Sequence, residues 1–243
     1  DGVTITKDEF KQKMIASAEL PKTAQPSIGR FVEVYDELGK NGDSVISIQM
    51  MRSISGTVDA ARQAADITET NVTVVDSDFT SRSMGMIVKE AAKAAQEGKT
   101  VEEILEIVED AKKRTTLYLT VVNLDNLIKG GRISQVMGMF SNLLNIKLFL
   151  QVINGKIEII QKGRGLKSLQ KKYDEIFEQM KATPNGIQEI GIMHAGLSDF
   201  NEGNIARVRE LFPDVPLTIV TTSPIIMSHT GVDAMAITYL ENK

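Results

Sequence analysis

Short apolar runs and helical-period stretches alternate along this chain, and the change from one to the other marks its elements. Val45-Ile46-Ser47-Ile48 follows the turn residues Asn41-Gly42-Asp43 and has the length and composition of a buried strand. Val72-Thr73-Val74-Val75, running into Asp76-Ser77, is a second such strand. Between them Val58, Ala61 and Ala65 recur at helical spacing, so strand, helix and strand in that order predict a crossover in a parallel sheet. Thr100 precedes Glu103 by three residues, a capping box, and Val101, Ile104, Leu105, Val108 and Ala111 then share one helix face. Leu117 to Val122 reads as the next strand.

Beyond about residue 115 the pattern changes. "LFLQVINGKIEIIQK" is two strand-like runs joined by Asn154-Gly155, the turn pair of an antiparallel hairpin, predicted over 147–160. Helices are predicted over Lys167 to Met180 and over Asn201 to Phe212, the latter stopped by Pro213, with strands at Ile190 to Met193 and Leu217 to Val220. Ala234 to Leu240 alternates like an edge or barrel strand. The fold class read from this order is α/β, with a parallel-sheet α/β domain over 1–115 and an α+β domain with a mixed or antiparallel sheet over 116–243.

Composition narrows the function classes. An apolar fraction of 42% over 243 residues is enough to bury a core. Lys+Arg 28 against Asp+Glu 32 argues against nucleic acid or an anionic membrane surface as a partner. The absence of cysteine excludes disulfides and thiolate chemistry and suits a reducing compartment, which makes the expected location cytoplasmic. No apolar run reaches the length of a membrane span, so no membrane insertion is expected. The start "DGVTI" lacks an initiator Met and reads as the second half of a hairpin tip, as if the chain began inside a longer protein.

Only two histidines exist, His194 and His229, without the ligand spacing of a metal site, and neither GxxxxGK[ST], GxGxxG after a strand, nor GxSxG occurs. No metal and no cofactor is expected. What remains is small polar residues at strand-to-helix junctions. Ser53, Ser55, Gly56 and Thr57 precede a helix start, where free N–H groups favour an anion such as a carboxylate, or where Ser55 or Thr57 simply caps the helix. Thr23 precedes Pro26 and Ser27, with Ser27 a cap ahead of a proline-started helix. Asp76-Ser77 stands either at a ligand-binding strand end or in an Asx turn. Met50, Met51, Met84, Met86, Met137 and Met139 suit a core or the wall of an adaptable apolar tunnel.

The segments "DG" and "EF" near the start, "TAQPS" from Thr23, "SISGT" from Ser53, "VVDS" from Val74, "LDNLIKGGRIS" from Leu124, "IK" at Ile146, "NGKI" from Asn154, "GRG" from Gly163, "HAG" from His194 and "SHTGVDA" from Ser228 together resemble, in order and over almost the whole chain, the DegV family of bacterial fatty-acid-binding proteins. The resemblance implies a two-domain α/β fold enclosing one long-chain fatty acid in a buried apolar tunnel, and a carrier rather than an enzyme. It implies carboxylate binding by Thr23, Ser55, Gly56, His229 and Thr230. It also implies a junction segment in which Gly130 and Gly131 turn the backbone, Arg132 supplies a positive fork, and Ser134 supports the head group. A fatty acid kinase would be the partner that forms the acyl phosphate, with Arg164 at its docking surface.

Four departures from the family pattern stand out. Ala24 and the pair Met51-Arg52 replace usual serines, Val232-Asp233 replaces a second glycine, and the family's first strand is missing. The competing reading is a phosphotransferase-like enzyme for a small anionic substrate with His229 as acid or base. A protein-interaction module with a vestigial pocket is a third.

Overall fold

Val45–Gln49 (β1) and Val72–Asp76 (β2) pair in parallel, Val45 opposite Val72 and Gln49 opposite Asp76. The helix between them, Thr57–Ala65 (α3), turns Val58, Ala60, Ala61 and Ala64 inward, all 1% exposed or less. The computed structural model describes residues 3–132 and 145–243; Ser134, Met137 and Met139 therefore lie outside the described residues. It divides into two compact units, of which this strand pair belongs to the smaller, residues 24–115 with 153–156.

The smaller unit also holds Ile28–Gly39 (α2), Ser81–Gln96 (α4) and Val101–Arg114 (α5). The capping box at Thr100 and Glu103 forms in full: the Thr100 hydroxyl accepts from Glu103 N, and Thr100 N donates to Glu103 Oε2 at 2.8 Å. Ser27 caps α2 through Arg30 N, and Pro26 lies one residue outside the cap instead of opening the helix. Met51 and Met86 are fully buried here, whereas Met50 and Met84 are half-buried. The Asx-turn reading of Asp76 is met, since Asp78 N donates to Asp76 Oδ1 at 2.9 Å.

The larger unit comprises residues 1–23, 116–152 and 157–243. Its six-stranded mixed sheet is built from Thr115–Val121 (β3), Ile146–Ile153 (β4), Lys156–Arg164 (β5), Ile187–His194 (β6), Leu217–Thr221 (β7) and Met235–Glu241 (β8), in the order β5-β4-β3-β8-β6-β7. The Asn154-Gly155 turn joins β4 to β5 with both residues at positive φ, 50° and 67°, as a two-residue hairpin turn requires. β6 runs parallel to β7 and antiparallel to β8.

Helices Lys7–Ala16 (α1), Asp125–Lys129 (α6), Leu166–Lys181 (α7), Asp199–Leu211 (α8) and Pro224–Thr230 (α9) also belong to the unit. Its core joins Phe149, Leu169, Tyr173, Ile176, Phe177, Ile190, Ile192 and Ile237, with the Phe149 and Tyr173 rings edge to face at 4.9 Å.

Two expectations change. The stretch over 234–240 is not an edge strand: β8 lies between β3 and β6, and its Met235, Ile237, Tyr239 and Leu240 are all buried. Residues 3–23 pack with the larger unit, so the α/β unit starts at Ala24 instead of residue 1. The cause is Met14 of α1, which is buried with Ala195, Met227 and Ala234.

Truncating Phe149 to Ala is expected to cost about 3–5 kcal/mol and Thr100→Ala about 1 kcal/mol. Urea midpoints at constant slope check both values.

Candidate functional site

Helix α9 begins at a cap, with Ser223 Oγ accepting from Ile226 N, and carries His229 in its last turn. Thr23, at the end of the larger unit's first segment, meets that imidazole: Thr23 Oγ1 and His229 Nε2 are 2.9 Å apart. The other ring nitrogen, Nδ1, is buried and has no partner among the described residues. Burial holds the imidazole below its ordinary value, and the Arg132 guanidinium pushes the same way.

The two glycines after α6 do different jobs. Gly131 alone has positive φ, 69°. Gly130 lies against the histidine: a Cβ there would fall 2.6 Å from His229 Nδ1 and 2.7 Å from the Asn126 carbonyl, so any side chain would push the ring away. Arg132 is exposed and donates to Gly130 O at 2.8 Å. Asn126, which sequence reasoning did not single out, binds α6 to α9 through Nδ2 and the Ser228 carbonyl at 3.1 Å. Its position inside the "LDNLIKGG" segment was the available signal. Gly231 then ends α9 at φ 76°, and a Cβ on it would stand 3.3 Å from the Asn126 carboxamide.

Thr23, Gly130, Arg132 and His229 are thus brought together. Thr230 is buried, and its hydroxyl proton goes to Ile226 O at 3.1 Å, which leaves it nothing to donate to a carboxylate. Asp233 stands at positive φ, 61°, with its Oδ1 close above Gly196. Arg164 is exposed at the end of β5.

In the smaller unit, Gly56 occupies the N-cap of α3 without a side-chain bond, while Ser55 Oγ accepts from Thr57 N at 3.3 Å and shares a 2.7 Å hydrogen bond with Thr57 Oγ1. The capping hydroxyl is therefore Ser55, one residue outside the cap. Gln25 covers Gly56 so closely that a Cβ there would displace its Oε1. Arg52 is committed to Asp59 at 3.0 Å.

This arrangement of threonine, histidine and close-packed glycine lies on sequence blocks that recur elsewhere. A family model described as "Uncharacterised protein, DegV family" matches residues 1–242. The chain belongs to the DegV family. A DegV domain-containing protein of Streptococcus pneumoniae is 42% identical over 229 residues, covering 94% of this chain and 81% of the relative.

Among solved structures, a fatty acid binding DegV family protein of Streptococcus agalactiae superposes with a TM-score of 0.88 at 27% identity, covering all of this chain and 86% of that one. The Fatty Acid Kinase (Fak) B3 protein of Streptococcus pneumoniae, loaded with linoleic acid, gives 0.81 at 25% identity, covering 99% and 85%. The α/β class with a small parallel and a larger mixed sheet is that of these DegV structures. Among the described residues, no group of three or more His, Asp or Glu is placed to hold a metal ion, and no helix is long and apolar enough to cross a membrane.

Because burial keeps both imidazoles below the ordinary histidine value, the unfolded chain takes up protons first as pH falls. Stability from these groups is full above the unfolded value and is lost below it, so the urea midpoint is expected to drop between about pH 7 and about pH 5. His194→Gln and His229→Gln should each flatten that slope. Arg132→Gln should move the His229 titration, followed by proton NMR, up toward the ordinary value.

Proposed function

We propose that this protein binds a long-chain fatty acid in a buried apolar tunnel, with the carboxylate at the Thr23–His229 pair, and presents that group to a fatty acid kinase. The observation that carries the reading is the 2.9 Å contact between Thr23 Oγ1 and His229 Nε2. A buried lone pair without a partner costs less than a buried N–H without one, which favours the neutral tautomer with its proton on Nε2. That proton goes to Thr23 Oγ1, and the threonine hydroxyl proton is left for an acceptor. An ionised carboxylate is such an acceptor, and burying one without donors would be prohibitive.

Family membership and the fatty-acid-binding solved relatives support the same ligand class. Burying an acyl chain yields about 0.8 kcal/mol per CH₂, on the order of 10 kcal/mol for a long chain before ordering costs, which is enough for retention through purification. Ser55 and Gly56 are carried over from the family motif alone, and their substitution tests the same role. An acid–base role for His229 has no orienting group at Nδ1 among the described residues. The reading is accordingly a carrier without chemistry of its own, confined to the cytoplasm.

Mass spectrometry of a solvent extract from the purified protein is expected to give a stoichiometric fatty acid. Thr23→Val and His229→Gln should each weaken uptake of a labelled fatty acid by roughly tenfold, the value of one charge-assisted hydrogen bond. A clean apo protein that takes up no fatty acid from a panel overturns the reading. Arg164→Glu should leave loading intact while suppressing acyl-phosphate formation by an added fatty acid kinase; equal turnover would refute the docking role.

A further inference from the structure

His194 closes β6 at its carboxyl end, opposite Thr221 of the parallel strand β7. Carboxyl ends of parallel strands are where open α/β sheets hold ligands. The ring is 7% exposed, and its buried Nδ1 has no partner among the described residues. Thr222 follows, its N–H bound to the His194 carbonyl at 2.9 Å and its hydroxyl equally buried and unpaired.

Two ammonium groups reach the same strand ends. Lys7 and Lys11 are half-buried and one turn apart on one face of α1. Lys7 Nζ donates to Thr221 O at 2.6 Å, and Lys11 Nζ lies over Gly196, 2.9 Å from where a Cβ would stand. Both push the His194 imidazole toward its neutral form, adding to the effect of burial. No carboxylate is in ion-pairing range of either ammonium group among the described residues. Asp233 Oδ1 faces the same point over Gly196, 2.6 Å from where a Cβ would stand.

Like charges one turn apart repel, and buried polar atoms without partners are costly. An anion between them relieves both. We propose that Lys7, Lys11, His194 and Thr222 form a site for a phosphate-type oxyanion, separate from the Thr23–His229 pair. Two ammonium groups, an imidazole and a hydroxyl offer more donors than a carboxylate accepts, and lysine suits phosphate as a point charge. The two rings face different elements: His194 ends β6 beside β7, and His229 lies against Thr23 and Gly130. Asp233, beside Lys11 over Gly196, weakens the attraction.

The two histidines give two imidazole C2-proton resonances, assigned with His194→Gln. Inorganic phosphate, titrated against chloride at constant ionic strength, should shift the His194 signal saturably and leave that of His229 in place. Lys11→Gln should weaken phosphate by roughly tenfold, Asp233→Asn should tighten it, and Lys13→Gln, on the exposed side of α1, should change nothing. Methyl phosphate in parallel separates a free ion from a phosphate ester as occupant, and saturable binding of either supports the site. Absence of a saturable shift with both probes overturns it, as does unchanged affinity in a Lys11→Gln protein that unfolds at the wild-type temperature. If Lys11→Gln does not keep that temperature, Asp233→Asn decides, and unaltered affinity there refutes the proposal.

Discussion

The larger unit depends on the pairing of β8 in the middle of its sheet. Strands β3 and β6 meet only through β8, which lies between them and joins the β5-β4-β3 half to the β6-β7 half. Without it the β5-β4-β3 and β6-β7 halves would each expose an open edge and one side of the core around Phe149, Tyr173 and Ile237. Both histidines follow from the same closure. His194 ends β6 opposite Met235 of β8, and His229 stands in the last turn of the helix that leads into β8.

Local signals were the readable part of the sequence. Asn154-Gly155 gave its hairpin because the turn requires two positive φ angles, and Thr100 with Glu103 gave its helix start because the bonds lie within four residues. Helix α1, with its mixed charges, and the short α9 carried too weak a periodic signal to be found. The reading of β8 as an edge or barrel strand missed its place inside the sheet because alternation records faces and not neighbours: both of its neighbours are distant in sequence. In the site, the motif pointed to Gly130, Gly131, Arg132 and His229 but could not tell apart a glycine needed for its dihedral from one needed for clearance. That distinction depends on a contact between residues 130 and 229. Asn126 was missed for the same reason, its partner being the carbonyl of Ser228.

The two imidazoles show how one residue type is given two settings. Both are kept neutral by burial and by a cation, yet one cation sits on the segment after α6 and the others on α1. Thr23 and His229 share a hydrogen bond through Nε2, whereas His194 Nδ1 and the Thr222 hydroxyl have no partner among the described residues. A bonded pair fixes a direction for its next hydrogen bond, and two neighbouring buried atoms without partners mark a place where a ligand would be stabilising.

The division of the chain also sets an order of events during translation. Residues 24–115, with their own parallel strands and capped helices, leave the ribosome as one continuous stretch and can condense early. The unit that holds Thr23 must keep its first segment waiting through all of that synthesis, until the strand that joins its halves has been made. A ribosome stalled ahead of Met235 would therefore release a folded α/β unit flanked by unfinished sheet, with bare strand edges of the kind that chaperones and proteases recognise.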